Sequence, residues 1–203
     1  PPTACERAMN FLAHAWLARG GGDDFLYGNL IADGVKGSDL AGWPDEVARG
    51  IRHHRRVDAF VDSHGVTREI LARSPRSGRR FVGIALDLVW DHFVALEPGI
   101  AERDSPLVTR SYRLLAARSA PSRLAPMMPL LVEQDWLRRY ADFSFTCRAI
   151  GGIGPRLSGP NRLMELVPWL EAEYPLLRDD FQRLWPAVRE ALEVPPESPR
   201  RRS

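Results

Sequence analysis

Apolar residues along most of this chain recur at three- and four-residue steps, the spacing that places them on one face of an α-helix. Strict alternation of apolar and polar residues is scarce, and the Asn-Gly signal of a tight hairpin does not occur. Runs rich in glycine and proline, such as residues 20–22 and 42–44, interrupt the helical pattern. The chain is therefore predicted to be all-α, as a single compact domain of about seven or eight helices.

The pattern also predicts the positions of the helices and which parts of the chain are folded. The expected helices cover residues 11–18, 23–35, 45–64, 79–95, 107–118, 129–140, 163–172 and 174–193. No apolar run reaches the roughly 18–20 residues of a membrane span, so no transmembrane helix is expected. Residues 1–8 lack the apolar stretch of a secretory signal, and residues 195–203 are rich in proline and arginine. We expect one folded domain over residues 9–194, between a disordered N-terminal extension and a disordered tail.

The charge and the cysteine content narrow the function classes. The 28 lysines and arginines balance 26 aspartates and glutamates, and Lys36 is the single lysine. Arginine recognises carboxylates and phosphates through a planar fork of donors, although codon bias explains the same excess equally well. The single basic block is at residues 200–202, so a nucleic-acid partner is not expected. Cys5 and Cys147 provide neither a disulfide framework nor a zinc quartet, which favours a reducing, cytoplasmic compartment.

Imidazole and carboxylate side chains lie four residues apart on three of the expected helices. The three sets are Asn29 with Asp33; His54 with Asp58 and Asp62; and Asp87 with Asp91. Residues four apart share a helix face. Should the three faces converge, they form a pocket of oxygen and nitrogen ligands for a divalent metal. The lack of thiolates then favours manganese, magnesium or iron over structural zinc.

A plainer explanation exists for each set taken alone. A His–Asp pair at this spacing is commonly a weak surface ion pair, and His14 in its apolar helix is typical of a core histidine. His64, at the expected end of its helix, suits the negative end of the helix dipole. Three such sets among bulky apolar neighbours favour the metal site, because unpaired buried charges are costly.

These same segments carry a resemblance to a known family, the bacterial acyl carrier protein phosphodiesterases. The resemblance covers residues 9 to about 192 and is specific as an ordered set. The matching segments are residues 9–14 (MNFLAH), 28–33 (GNLIAD), 35–37 (VKG), 54–58 (HRRVD) followed by Asp62 and His64, and 87–93 (DLVWDHF).

The resemblance implies a helical fold related to the HD-type metal phosphohydrolases. It implies a manganese-dependent hydrolase, with magnesium or iron as alternatives, that removes 4′-phosphopantetheine from holo acyl carrier protein. On this basis, the expected metal ligands or their immediate supports are His14, Asp33, His54, Asp58, Asp91 and His92, with Asn29 behind them. Asp33 and Asp91 are the expected direct carboxylate ligands.

The remaining polar residues receive roles in chemistry and in partner binding. Residues expected to hold phosphate, orient ligands or move a proton are Arg55, Asp58, Asp62, His64 and Asp87. The acidic carrier protein is expected to meet an arginine face formed by Arg49, Arg52, Arg56, Arg79 and Arg80.

Two other functions remain open at this stage. The first is an HD-like phosphohydrolase that acts on a nucleotide or another small phosphoester. The second is a helical module that binds carrier protein without catalysis and keeps the polar sets as ion pairs. No membrane partner is expected under any of these hypotheses.

Overall fold

The computed structural model describes residues 10–153 and 162–195, and this part of the chain is all-α, as predicted. Its helices are α1 (Phe11–Leu17), α2 (Asp23–Ile31), α3 (Asp45–Ser63), α4 (Gly65–Arg73), α5 (Val82–Ala95), α6 (Pro106–Ala117), α7 (Met128–Glu133), α8 (Trp136–Arg139), α9 (Phe143–Ile153), α10 (Val167–Ala172) and α11 (Tyr174–Leu192). Short 3₁₀ turns at Ala32–Gly34, Arg79–Phe81 and Met164–Leu166 flank α2, α5 and α10. The relation to HD-type phosphohydrolases stays a prediction.

Three largely buried helices form the centre of the domain. Nearly every residue of α1, α2 and α5 is buried, which is the pattern of helices surrounded by other helices. The amphipathic helices α3, α6 and α11 bury one face each against this centre. The buried polar side chains of α1, α2 and α5, which are His14, Asn29, Asp91 and His92, must therefore find partners inside the protein.

Two glycines allow α2 and α3 to approach each other closely. A Cβ added to Gly28 would lie 2.2 Å from the Val47 carbonyl oxygen, and one added to Gly50 would lie 2.1 Å from the Phe25 carbonyl oxygen. Both contacts are with backbone atoms, which cannot move aside as a flexible side chain can. The close crossing places the C-terminal half of α2 beside the middle of α3.

The structure contains more helices than the sequence predicts. Residues 129–140 were expected to form one helix, but Asp135 adopts a left-handed backbone with φ of 54° and separates α7 from α8. The helix expected to reach residue 64 ends at Ser63, because His64 is extended and its Nδ1 accepts a hydrogen bond from the Val66 amide. His64 thereby caps α4, which the sequence did not predict, and α9 was not predicted either.

The predictions for the chain ends cannot be compared with the structure. Residues 1–8 and 196–203 lie outside the described residues, and Pro195 alone of the expected tail is described. Within the described ranges, every helix is too short or too polar to cross a membrane.

Candidate metal centre

Four side chains predicted to be metal ligands meet at one buried cluster. His14 comes from α1, Asp33 from the 3₁₀ turn after α2, and His54 and Asp58 from α3. The Nε2 atom of His14 lies 3.2 Å from Asp58 Oδ1, and the Nε2 atom of His54 lies 3.3 Å from Asp33 Oδ1 and 3.6 Å from Asp58 Oδ2. Both histidines are buried, whereas the two carboxylates retain a little exposure. We call these four residues the His/Asp cluster.

The close crossing of α2 and α3 orients the imidazole of His54. Its Nδ1 lies 2.9 Å from the backbone carbonyl oxygen of Asn29, which can only accept a hydrogen bond. His54 therefore carries a proton on Nδ1 and presents Nε2 toward the carboxylates. The Asn29 side chain lies 3.0 Å from Nδ1 of His53, so one residue positions two neighbouring histidines. A carbonyl that fixes the tautomer is the usual support of a metal-binding histidine.

The electrostatics of the cluster show an excess of negative charge. Burial opposes a charge on His54, but Asp33 and Asp58 outweigh that effect and raise its pKa to about 9. Burial, reinforced by the positive charge on His54, lowers the pKa of His14 to about 4. Burial and the charges of neighbouring carboxylates, Asp58 first among them, raise the pKa of Asp87 well above its ordinary value. A cation placed among these groups would relieve this repulsion.

A second observation, independent of the charges, also fits a divalent metal at the cluster. Among the described residues, neither ring nitrogen of His14 nor Nε2 of His54 makes a hydrogen bond, although all three atoms are buried. Buried polar atoms without a partner are uncommon and call for an explanation. One ligand atom from each of His14, His54 and Asp58 lies within 4.8 Å of the other two. Imidazole nitrogen with carboxylate oxygen suits manganese, iron or zinc, and added carboxylates favour the harder ions.

Asp91 has a different environment from that of the cluster. Its Oδ2 accepts a hydrogen bond from the Leu12 amide at 3.0 Å, and its Oδ1 accepts one from the Ala13 amide at 2.7 Å. Helix α1 has no acidic residue in its first turn and no cap from Asn10, so Asp91 supplies the negative charge that a helix N-terminus favours. Burial raises the pKa of Asp91 to about 7, although the amides of α1 oppose that shift. Its carboxylate anchors the helix that carries His14, and ligation of a metal by Asp91 stays a prediction.

His92 is not brought to the cluster. Its Nδ1 donates to the Tyr140 carbonyl oxygen at 2.7 Å, and its Nε2 lies 2.9 Å from the Tyr174 hydroxyl. With Nδ1 protonated, Nε2 accepts from that hydroxyl, so both ring nitrogens are engaged. This geometry leaves His92 no ring nitrogen free to bind a metal, which is at odds with the prediction that His92 is a ligand.

Two cavities border the His/Asp cluster, and Asp58 lines both of them. The first, of about 280 Å³, has both polar and apolar lining residues, and we call it the apolar cavity. Its polar lining residues include His14, Asp58, Asp62, Arg80 and Asp87, and its apolar ones include Leu17, Trp90, Phe181, Leu184, Trp185 and Val188. The second, also of about 280 Å³, is lined by Asp33, Ser38, His54, Arg55 and Asp58 among others, and we call it the polar cleft.

The arginines assigned to partner binding are exposed, but they do not all face the cluster. Arg49, Arg52 and Arg56 follow three- and four-residue steps on the outer side of α3, away from the side that carries His54 and Asp58. Arg80 lines the apolar cavity, and exposed Arg79 bonds to the backbone carbonyls of Ala72 and Ser74. Arg55 lines the polar cleft and donates to the Val35 carbonyl oxygen.

Sequence reasoning missed the apolar side of this site. Sequence reasoning assigns no role in the site to Trp90, Phe181 or Trp185, which belong to the core and also line the apolar cavity. An aromatic residue at helical spacing looks the same in sequence whether it fills a core or lines a cavity. The packing of α5 against α11 is needed to tell a residue that fills the core from one that lines a cavity.

The fold and the site together define a class: an all-α protein with a buried imidazole and carboxylate centre that fits a divalent metal. The comparisons with known proteins name the family. Residues 9–188 match the family model described as acyl carrier protein phosphodiesterase. The chain belongs to the acyl carrier protein phosphodiesterase family, which confirms the resemblance seen in the sequence.

Curated relatives support this assignment over nearly the full chain. A protein from Salmonella agona (strain SL483) named acyl carrier protein phosphodiesterase is 33% identical over 194 residues, covering 91% of this chain and 100% of the relative. A protein of the same name from Escherichia coli O6:H1 is 31% identical over 187 residues, covering 90% of this chain and 96% of the relative. No solved structure is significantly similar to the chain.

Proposed function

We propose that this protein is a divalent-metal-dependent phosphodiesterase that removes 4′-phosphopantetheine from holo acyl carrier protein and leaves the apo form. The main support for the proposal is the His/Asp cluster, in which three helical segments bring three buried imidazole nitrogens that make no hydrogen bond against two carboxylates. The names of the curated relatives supply the substrate class. We propose manganese as the ion, with magnesium or iron as alternatives. The free, buried thiol of Cys147 suits a reducing compartment, and we place the reaction in the cytoplasm.

The reaction needs a nucleophilic water, neutralisation of phosphoryl charge and a proton for the leaving oxygen. Water adds to phosphorus, the bond between phosphorus and the carrier serine oxygen breaks, and the serine oxygen takes up a proton. A divalent metal, when bound, lowers the pKa of water and attracts phosphate oxygens. Under this proposal, His14, Asp33, His54 and Asp58 hold that ion.

The residues around the cluster perform the remaining tasks. The proposal assigns the binding of phosphate oxygens to the guanidinium groups of Arg55, which lines the polar cleft, and Arg80, which lines the apolar cavity. Asp62 and Asp87 border the cluster from α3 and α5 and can exchange a proton with the reacting oxygens. Burial and the neighbouring carboxylates raise the pKa of Asp87, which favours its protonated form.

The partner is proposed to be an acidic carrier protein that is oriented by exposed arginines. Arg49, Arg52 and Arg56 offer a basic stripe on α3 that could steer the encounter. Reversal of all three to glutamate should weaken carrier binding and leave the metal content unchanged. Exposed Arg103→Glu is a suitable control for a change of charge elsewhere. Carrier binding that survives the triple reversal would remove these arginines from the proposal.

Mass spectrometry of holo acyl carrier protein tests the reaction itself. The carrier is incubated with the protein and manganese, beside a sample that contains chelator. We expect manganese-dependent loss of the phosphopantetheine mass and none in chelator. An unchanged carrier mass with folded, metal-loaded protein would instead favour a small phosphoester as the substrate. Protein that binds the carrier but purifies without stoichiometric metal would favour the non-catalytic module.

A further inference from the structure

We propose that the two cavities divide the substrate: the apolar cavity receives the pantetheine arm, and the polar cleft faces the carrier protein around its modified serine. This inference rests on the proposed function and adds a location for each half of the diester. It starts from one geometric fact, which is that Asp58 lines both cavities.

The cluster lies where the two cavities share a residue. His14 lines the apolar cavity and His54 lines the polar cleft, and the two rings stack with centroids 3.6 Å apart. A phosphodiester has two substituents that leave phosphorus in different directions. A phosphate held by a divalent ion at the cluster, beside Asp58, could therefore extend one substituent into each cavity.

The chemistry of the apolar cavity matches the arm. Trp90, Phe181 and Trp185 provide apolar surface for the dimethyl and methylene groups of pantetheine. The indole nitrogens of Trp90 and Trp185 are buried, and neither has a hydrogen-bond partner within the described part of the chain. The two amide carbonyls of a pantetheine arm are acceptors of the kind that these donors lack. The volume of about 280 Å³ is near the lower end of the roughly 300–1,000 Å³ found for small-ligand sites.

The polar cleft suits the protein side of the substrate. Ser38 and Gly37 at its edge are exposed, so a folded protein can reach this opening without entering the core. Its other lining residues are Asp33, His54, Arg55 and Asp58, together with the apolar Ala32 and Val35, and none of its lining residues is a tryptophan or phenylalanine. An apolar arm would bury less surface against Ala32 and Val35 than against Trp90, Phe181 and Trp185, whereas the charged groups can meet the polar surface of a carrier protein.

A glycine in the apolar cavity makes the proposal testable without disturbing the packing. Gly83 lines the cavity, and a Cβ added there meets no atom within 4 Å. Gly83→Leu should therefore occupy the cavity. Gly152→Leu is the matched control, because Gly152 is also helical, also has open space at its Cβ, and lines a different cavity. Ser38→Trp provides the complementary change at the polar cleft.

Two measurements separate this inference from the proposed function. The first is calorimetric binding of pantetheine alone, which needs no turnover. The second is kcat/KM for release from holo carrier protein. We expect Gly83→Leu to abolish pantetheine binding and to lower kcat/KM by about tenfold or more, with Gly152→Leu unchanged in both. Ser38→Trp should lower kcat/KM while pantetheine binding persists.

The outcomes bear on the two proposals separately. A wild-type protein that does not bind pantetheine, or a Gly83→Leu variant that binds and turns over normally, overturns the division of the substrate. A wild-type protein that binds pantetheine but never releases phosphopantetheine from the carrier overturns the proposed function and leaves the cavity assignment in place.

Discussion

The imidazole rings of His14 and His54 stack with their centroids 3.6 Å apart and their planes 14° apart, although they belong to different helices. Burial, with the repulsion from a charged His54 as the second cause, lowers the pKa of His14, whereas Asp33 and Asp58 raise the pKa of His54. Beneath the pair, Asp33 and Asp58 supply the negative charge that holds a proton on His54. A divalent metal would take the place of that proton and bring a larger positive charge. The metal content of the protein should therefore depend on both His14 and His54 being in place.

We expect metal binding to depend most on Asp58, because its carboxylate lies close to both histidines. Asp58→Asn should reduce bound manganese well below stoichiometry. Loss of a residue that only supports a metal ligand usually lowers activity by about 10–100-fold. Turnover of Asp58→Asn should fall by more than this. Metal analysis after purification measures the first effect, and carrier mass spectrometry measures the second. Exposed Asp45→Asn, at the start of the same helix, should change neither. Full metal occupancy in Asp58→Asn would contradict the proposed centre.

Asp91 should act on the site by holding α1 in place. Asp91→Ala leaves the buried Leu12 and Ala13 amides without their acceptor, at a cost of about 1–3 kcal/mol for each unsatisfied group. Chemical denaturation should show this loss in the free energy of unfolding. Asp91→Asn keeps one acceptor oxygen and should recover part of it. If Asp91→Asn instead lost metal but not stability, Asp91 would be a ligand, as the sequence predicts.

The crossing of α2 and α3 should not tolerate a methyl group at Gly50. Gly50→Ala would force a Cβ against the Phe25 carbonyl oxygen and should destabilise the protein by about 1–3 kcal/mol, the usual cost of overpacking. To relieve this contact, α2 and α3 must move apart, which would move the Asn29 carbonyl away from His54. The metal affinity should therefore fall as well. Gly83→Ala meets open space in a helix and should stabilise by about 0.5–1 kcal/mol. Equal melting temperatures for the two variants would refute this explanation.

His92 should contribute to stability and not to metal binding. Burial lowers its pKa, so the folded protein keeps His92 neutral while the unfolded chain takes up a proton as the pH falls below 6.5. The stability that neutral His92 provides is thus complete above that pH and is lost as the pH falls through the lowered folded value.

Unfolding at several pH values, compared with His92→Gln, measures this contribution. We expect the variant to lose less stability than the wild type between neutral and acidic pH and to retain its metal. Tyr174→Phe, which removes the donor to Nε2, should resemble it in part. If the purified His92→Gln protein contained no metal, His92 would have to be counted as a metal ligand, as the sequence predicts.

Local spacing predicts part of the arrangement of the site, and its limits have a physical cause. Four-residue spacing correctly grouped His54 with Asp58, because that spacing fixes which residues share a helix face. It does not say what each face meets. Asp91 was grouped with Asp87 on the same basis, yet its carboxylate accepts hydrogen bonds from amides at the start of α1, far away in the sequence.

The remaining features depend on how the helices pack, which the sequence encodes only indirectly. The close approach at Gly28 and Gly50 sets the position of the Asn29 carbonyl, and a backbone carbonyl has no sequence signal. The all-α class was predictable because helical periodicity runs through most of the chain. The helix α4 was missed because its start depends on His64 leaving the helical conformation to cap it.

Diffraction from crystals grown with manganese, recorded for anomalous scattering, tests the central claim most directly, because it locates the ion without reference to turnover. We predict one or more anomalous peaks in contact with Nε2 of His14, Nε2 of His54 and the Asp58 carboxylate, with Asp33 alongside. A fully ordered cluster without a peak, or a peak confined to another part of the protein, would contradict the account.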